Sequence, residues 1–210
     1  MCPTLNVWRF IESPPSDIVS QMEFDRALFE EALHDPAALP VLRIYRVSKP
    51  GVTVGRAWKK GEGVTVRPTG GGRVSHGDDL IYSVVARPDT FPTFRQVRTS
   101  YLSFHEAVQE AFRNLGVETE LVRCDHPEFK KNSRRLIGDC FKEPVPTDLV
   151  YEGKKIAGAA QRRKKQAFLH QGSVQLVAGL TFDRLRDAFL EIFKKKVDVD
   201  LHTTSTFLRL

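Results

Sequence analysis

The sequence predicts an α/β fold of the α+β kind, with strands in clusters broken by a few helices. Three observations lead there. Nine strand-like segments stand against three helical ones. The strands are short and separated by glycine and proline, of which the chain holds 14 and 12, and they do not alternate with helices as regular βαβ winding requires. The length of 210 residues, 41% hydrophobic and 28% charged, suits one compact domain that buries its own core.

Strands are expected at 7–11, 41–47, 52–56, 64–67, 80–85, 117–122, 148–151, 155–159 and 168–177, where apolar and β-branched residues bunch between turn formers. A helix is expected over 17–33, with Val19, Met22, Phe29 and Leu33 as its apolar positions and Ser16 as its N-cap. A second, over 100–115, places Phe104, Val108, Ala111, Phe112 and Leu115 on one stripe. A third, over 182–195, places Leu185, Phe189, Ile192 and Phe193 on one face. Thr181 caps it, and Lys194, Lys195 and Lys196 suit the negative end of its dipole. These stripes read as core packing. The stretch 123–146 has no periodicity and reads as a long loop, either functional or a solvated insertion.

Composition narrows the function. No apolar run approaches the roughly 18 residues of a membrane span, and the first ten residues show no basic-then-apolar leader. The expected compartment is the cytoplasm, with no membrane partner. Three cysteines, Cys2, Cys124 and Cys140, do not make a disulfide framework. The net charge of +6 points to an anionic partner: nucleic acid, an acidic protein or a phosphate-bearing substrate. No aromatic-basic strand motif of an RNA-binding module is present, so nucleic acid is not expected.

Three local features have the residue types for chemistry. The first is Arg67-Pro-Thr-Gly-Gly-Gly-Arg-Val-Ser-His76. Gly70, Gly71 and Gly72 cost backbone entropy but permit positive φ and close approach of main chain to a ligand. Amides exposed in such a turn can hold an anion or a carbonyl oxygen, flanked by Arg67 and Arg73, with His76 following. A plain hairpin loop is the other reading, and the spacing is neither a P-loop nor a dinucleotide fingerprint. The second is Cys140, in a polar stretch near Lys142, Arg134 and Arg135, whose charge favours a thiolate. It is either an incidental loop cysteine or a nucleophile. Zinc ligation would have to recruit Cys124 and His126 without a paired Cys-x-x-Cys spacing. The third runs from Lys155 through Gly158, Ala159, Ala160 and Gln161, then to His170. Its small residues leave room for an acyl chain or ligand. In a strand Lys155 projects to one face and Lys154 to the other. The basic run Arg162-Arg-Lys-Lys165 reads as a solvated turn or as a docking patch for an acidic partner.

Taken in order, these features resemble the superfamily of lipoate-protein ligase A, octanoyltransferases and biotin ligases. Met22-Glu-Phe-Asp-Arg-Ala-Leu is similar to the first-helix signature. Pro40-Val-Leu-Arg-Ile-Tyr-Arg and Thr53-Val-Gly-Arg are similar to the next two strands. Arg67-x-x-Gly-Gly-Gly-x-Val-x-His76 resembles the acyl-site loop, and Lys155-Ile-Ala-Gly-x-Ala-Gln161 the strand whose lysine faces the acyl carbonyl. Cys140-Phe-x-x-Pro, with Lys155 fifteen positions on, is most similar to the cysteine-dependent octanoyltransferases. The family often has His-Gly where this chain reads Gln171-Gly172, with His170 one place earlier.

The resemblance implies a large mixed β-sheet, a small second sheet and helices packed outside. With the last helix ending shortly before Leu210, a single catalytic domain over 1–210 with no C-terminal accessory domain is expected. The resemblance also implies Cys140 as the nucleophile and Lys155 as its charge partner. It puts Arg67, Gly70, Gly71, Gly72, His76, Gly158, Ala160, Gln161 and His170 at the substrate. The expected donor is octanoyl-acyl carrier protein and the expected acceptor a lipoyl domain or glycine cleavage protein H. No cofactor or metal is expected. ATP and magnesium enter only in the alternative of an ATP-dependent lipoate-protein ligase. A further alternative is an amidotransferase between protein H and E2 lipoyl domains. Biotin ligation and a non-catalytic lipoyl-binding module are the remaining ones.

Overall fold

In the computed structural model, residues 7–58, 61–123 and 144–203 are described. Cys2, Cys124 and Cys140, with the rest of 124–143, lie outside the described residues. The elements are β1 (Val7–Glu12), α1 (Ile18–His34), β2 (Val41–Tyr45), β3 (Gly51–Val54), β4 (Thr65–Val66), β5 (Val74–His76) and β6 (Leu80–Ala86). A 3-10 turn (Pro92–Phe94) leads into α2 (Val97–Asn114). Then come β7 (Glu120–Leu121), β8 (Leu149–Tyr151), β9 (Lys154–Arg163), β10 (Phe168–Val174), α3 (Phe182–Val197) and β11 (Asp200–Thr203).

Eight strands form one sheet in the order β11-β1-β2-β6-β10-β9-β8-β7, and β4-β3-β5 form a second. The large sheet is mixed: β1 runs parallel to both β11 and β2, whereas β6, β10 and β9 pair antiparallel. The expected pair of sheets, large and small, is therefore present. No helix among the described residues is long and apolar enough to cross a membrane.

The helices cover the two faces of the large sheet. Phe104, Val108, Ala111 and Phe112 of α2 join Leu185, Phe189, Ile192 and Phe193 of α3. Together they pack on Trp8, Leu42, Tyr82, Val84 and Phe168. On the other face Leu28 and Phe29 of α1 pack on Ile11, Val41, Val85 and Leu169. Every residue of β6 and β10 is buried, as expected of central strands covered on both sides. Alternation in β10 sends His170 toward α2, where Tyr101 and Phe104 touch it, and Gln171 toward α1, where Asp25 does.

Several local expectations change. Asp17, not Ser16, caps α1: its carboxylate accepts from the Val19 and Ser20 amides at 3.0 Å. A carboxylate at this position also meets the positive end of the helix dipole. Val19 is exposed, and the buried face of α1 instead carries Gln21 and Asp25 beside Met22 and Phe29. These polar residues serve a buried cluster. Arg43 meets Asp25 at 2.7 Å and donates to Gln21, while Tyr45, Ser83 and Gln171 each donate to Asp25 at 2.7 Å. Strand β9 reaches Arg163, so Arg162 and Arg163 belong to a strand rather than a solvated turn. Arg163 lies over the Phe168 ring at 4.7 Å, and only Lys164 and Lys165 stay in the exposed turn. Strands β5 and β11 were not expected. Each is short and lacks apolar alternation, and pairing with a distant partner defines it.

Candidate active site

The glycine loop joins β4 to β5, and Arg67 holds it from within. Arg67 Nε and Nη2 donate to the Gly70 carbonyl at 2.9 and 2.6 Å, Nη2 also to the Gly72 carbonyl at 2.9 Å, and Nη1 to Thr53 Oγ1 at 3.1 Å. Gly71 has φ of 88°, a region that side chains rarely enter. The loop also rests on bare backbone. A Cβ on Gly55 would stand 2.2 Å from the Gly71 carbonyl oxygen. Behind the loop His76 bridges Thr53 Oγ1 at 2.9 Å and Asp79 Oδ2 at 2.7 Å, and Ser173 donates to the same oxygen of Asp79. Burial works against the Asp79 carboxylate, but these bonds, the His76 charge and the Gly77 amide outweigh it and lower its pKa. Thr69 donates to Gln171 Oε1 at 2.6 Å, tying the loop to β10.

A second cluster forms where β8 meets β9. Leu149 pairs with Ala157 but Val150 pairs with Lys155, so Ile156 is an extra residue in β9. Such a bulge shifts the phase of side-chain alternation. Ile156 and Ala157 both enter the apolar core, while Lys155 comes to share a side with Gly158. Lys155 Nζ lies 2.6 Å from Asp148 Oδ2, and the two side chains are 5% and 3% exposed. The Lys155 stem occupies the room that Gly158 leaves: a Cβ there would stand 2.6 Å from Lys155 Cε. The space expected for a ligand beside Gly158 is thus filled by the lysine itself. Lys154 is exposed, as a neighbour directed away from this cluster.

Gln161 and His170 make a third group, on the α2 side of the sheet. Gln161 Nε2 lies 2.9 Å from His170 Nδ1 and 3.0 Å from Ser100 Oγ, and Tyr82 Oη is 3.1 Å from His170 Nε2. The rings of Tyr101, Phe104 and Tyr82 enclose His170. Burial, then the charges of His105 and Arg163, hold its pKa well below the ordinary value. His170 is not placed beside the glycine loop; that position belongs to Gln171. Ala160 pairs with Gln171 across the β9–β10 ladder.

Tyr101 links the clusters electrostatically. Burial chiefly raises its phenol pKa to about 12, Asp148 adding to the rise and the Gln161 amide, Arg67 and Arg163 opposing it. Asp148 of the lysine–aspartate pair and Arg67 of the glycine loop thus both act on the Tyr101 phenol. Sequence reasoning missed Tyr101, Asp148 and Asp79, and met Gln171 only as the residue standing where the family often has histidine. Only Asp148 carried a usable signal: an acid just ahead of Leu149-Val-Tyr, across the hairpin turn at Glu152 and Gly153 from Lys155. Among the described residues no cluster of three or more His, Cys, Asp and Glu could hold a metal. Cys124, His126 and Cys140 lie outside them.

A large mixed sheet with a small second sheet and helices outside is an arrangement met in known proteins. The family described as the lipoyl protein ligase A/B catalytic domain matches residues 17–204. The chain belongs to that family. Among its relatives are Octanoyltransferase LipM of Oceanobacillus iheyensis, 32% identical over 195 residues (87% of this chain, 68% of the relative). The protein of the same name from Bacillus subtilis is 33% identical over 199 residues (87% and 69%). Solved structures share the fold at lower identity. A lipoate-protein ligase A bound with ATP superposes with a TM-score of 0.76 at 20% identity, covering 96% of this chain and 90% of that one. An archaeal bi-partite lipoate protein ligase from Thermoplasma acidophilum gives 0.71 at 18%, covering 96% and 88%. The catalytic-domain fold of lipoate and biotin ligases expected from the sequence is thus the fold of this chain. This member of the lipoyl protein ligase A/B family carries a buried Lys155–Asp148 pair and a glycine loop held by Arg67.

Proposed function

We infer that this chain is an octanoyltransferase of lipoate biosynthesis, an acyltransferase working through Cys140 and Lys155. One observation carries the reading: over 87% of its length the chain is 32% identical to an octanoyltransferase of the LipM kind. The sequence spacing of Cys140 to Lys155 and the burial of Lys155 against Asp148 support the assignment of roles.

The chemistry is two acyl transfers. The Cys140 thiolate attacks the thioester carbonyl of octanoyl-acyl carrier protein. A carbon–sulfur bond to Cys140 forms, the bond to the carrier sulfur breaks, and the carrier thiol leaves with a proton. The ε-amine of a lysine on a lipoyl domain or on glycine cleavage protein H then attacks the acyl-enzyme. The amide forms, Cys140 is released as thiolate, and the amine gives up a proton. A cationic Lys155 near the sulfur favours thiolate over thiol. Arg67 orders the glycine-loop backbone, and the loop amides are the candidates for the oxyanion that appears at each step. A buried acyl tail contributes several kcal/mol at about 0.8 kcal/mol per CH₂. The net charge of +6 suits acidic protein partners. No cofactor is needed, because the thioester already carries the activation, and the proposed compartment is the cytoplasm.

The test is transfer from octanoyl-acyl carrier protein to a lipoyl domain without ATP, followed by intact-mass analysis. Wild type should carry one hydroxylamine-labile octanoyl group, and Cys140→Ala none. Activity only with free octanoate or lipoate plus ATP and magnesium would establish a ligase instead. Transfer only from octanoylated protein H would establish an amidotransferase.

A further inference from the structure

Lys155 is aimed by a chain of contacts that begins inside α2. His105 is 1% exposed, flanked by the rings of Tyr101 and His170. Its Nδ1 hydrogen-bonds the carbonyl oxygen of Thr147. A carbonyl can only accept, so Nδ1 donates, and Nε2 is left as a buried atom with no partner among the described residues. The ring is within electrostatic reach of both Asp148 and Lys155, which push its proton affinity in opposite directions, although burial is the larger influence and lowers it.

Thr147 is the unusual residue. Its φ is 80°, and it is β-branched, a side chain that rarely tolerates the left-handed region. Such a conformation persists only where its surroundings over-determine it. Both of its peptide groups are held: its amide donates to the Val122 carbonyl at 2.7 Å, and its carbonyl takes the His105 bond. The next residue is Asp148. Its carboxylate accepts from the Val145 amide at 2.7 Å and meets Lys155 Nζ at 2.6 Å. The direction of that carboxylate follows from the ψ of Thr147, and the carbonyl that His105 grips reports that same angle.

We propose that His105 is a positioning residue for acyl transfer: by gripping the Thr147 carbonyl it holds that peptide in its left-handed conformation and so aims Asp148 at Lys155. The inference rests on the reading of Lys155 given above. In this role His105 acts through two backbone atoms and one carboxylate.

The experiment measures single-turnover acylation by octanoyl-acyl carrier protein together with the melting temperature of each variant. His105→Leu keeps the volume but lacks the donor. It should slow acylation by about 10- to 100-fold, the range expected when a catalytic group is misplaced by an ångström, while KM for the donor stays put. His105→Asn offers an amide donor and should recover most of that loss. Thr147→Gly removes the steric objection to positive φ, so adding it to His105→Leu should restore rate as well. In an Asp148→Asn background, where the aim is already lost, His105→Leu should change the rate by no more than about twofold, the scatter of non-interacting sites. The proposal is overturned if His105→Leu lowers only the melting temperature, or if its effect multiplies undiminished with that of Asp148→Asn. Lys155→Ala separates the two levels. If it acylates at the wild-type rate, the role of Lys155 is wrong; if it is impaired while His105→Leu is not, only the positioning role is.

Discussion

Gly158→Ala displaces Lys155 without altering its chemistry. A Cβ at Gly158 would stand 2.6 Å from Lys155 Cε, 2.8 Å from Nζ and 3.2 Å from Asp148 Oδ1. Ordinary contact begins near 3.4 Å, so Cε must withdraw by about 0.8 Å (3.4 minus 2.6) and Nζ by about 0.6 Å (3.4 minus 2.8). The obstacle is the far end of a flexible side chain, so the backbone of β9 can stay where it is. The stability cost should then sit at the low end of overpacking, about 1 kcal/mol, which lowers Tm by about 2–4 °C in a domain of this size. The rate should suffer far more. Nζ now sits 2.6 Å from Asp148 Oδ2, and a shift of well over half an ångström takes it from the geometry at which the proposed thiolate would meet it. A loss of about 10- to 100-fold in acylation is expected, with KM for the donor little changed. The assay is rapid-quench acylation of Cys140 by octanoyl-acyl carrier protein, beside a thermal melt of the same sample. Lys154→Ala, exposed and directed elsewhere, is the control and should acylate normally. Acylation of Gly158→Ala at the wild-type rate would refute the reasoning, because the lysine cannot both occupy that space and be indifferent to its loss.

Gly55→Ala presses on backbone instead, 2.2 Å from the Gly71 carbonyl oxygen and 2.7 Å from Gly70 C. The glycine loop must move, so acylation should fall by more than in Gly158→Ala, with about 1–3 kcal/mol of stability lost on chemical denaturation; an active, equally stable variant would show that the loop geometry is immaterial. Acid should destabilise the fold through His105 and His170. Burial holds both below their ordinary pKa of 6.5. The unfolded chain therefore takes up protons near that pH that the folded chain refuses. Stability is complete above about pH 6.5 and is lost as pH falls below it, with a slope of up to about 2.7 kcal/mol per pH unit for two groups. Asp79, lowered from 3.8, contributes only in more acidic solution. Urea denaturation followed across this range checks the slope, and His170→Phe should halve it; a flat profile would mean that the two rings take up protons while folded.

Much of this molecule is determined locally. The apolar stripes of α2 and α3 follow from the helical repeat, Thr181 caps α3 as its position ahead of the stripe requires, and the helices cover the sheet where those stripes direct them. The run of glycines marks the loop, and strand alternation separates Lys154 from Lys155. The motifs in their order pointed to the family that the matched residues 17–204 establish. Pairing across the sheet decided the rest. The extra residue Ile156 in β9 exists only relative to β8, and it is this bulge that brings Lys155 under Gly158 and against Asp148. A one-residue offset in β10 sends His170 into the aromatic core and gives Gln171 the place beside the glycine loop. Nothing in their own segments pairs Asp25 with Arg43; they are buried partners because α1 packs on the face of the sheet to which Arg43 of β2 is directed. The physical reason is common to all of these: periodicity is written in a residue's immediate neighbours, whereas register, bulge and partner are set by strands and helices that meet only after the chain has folded.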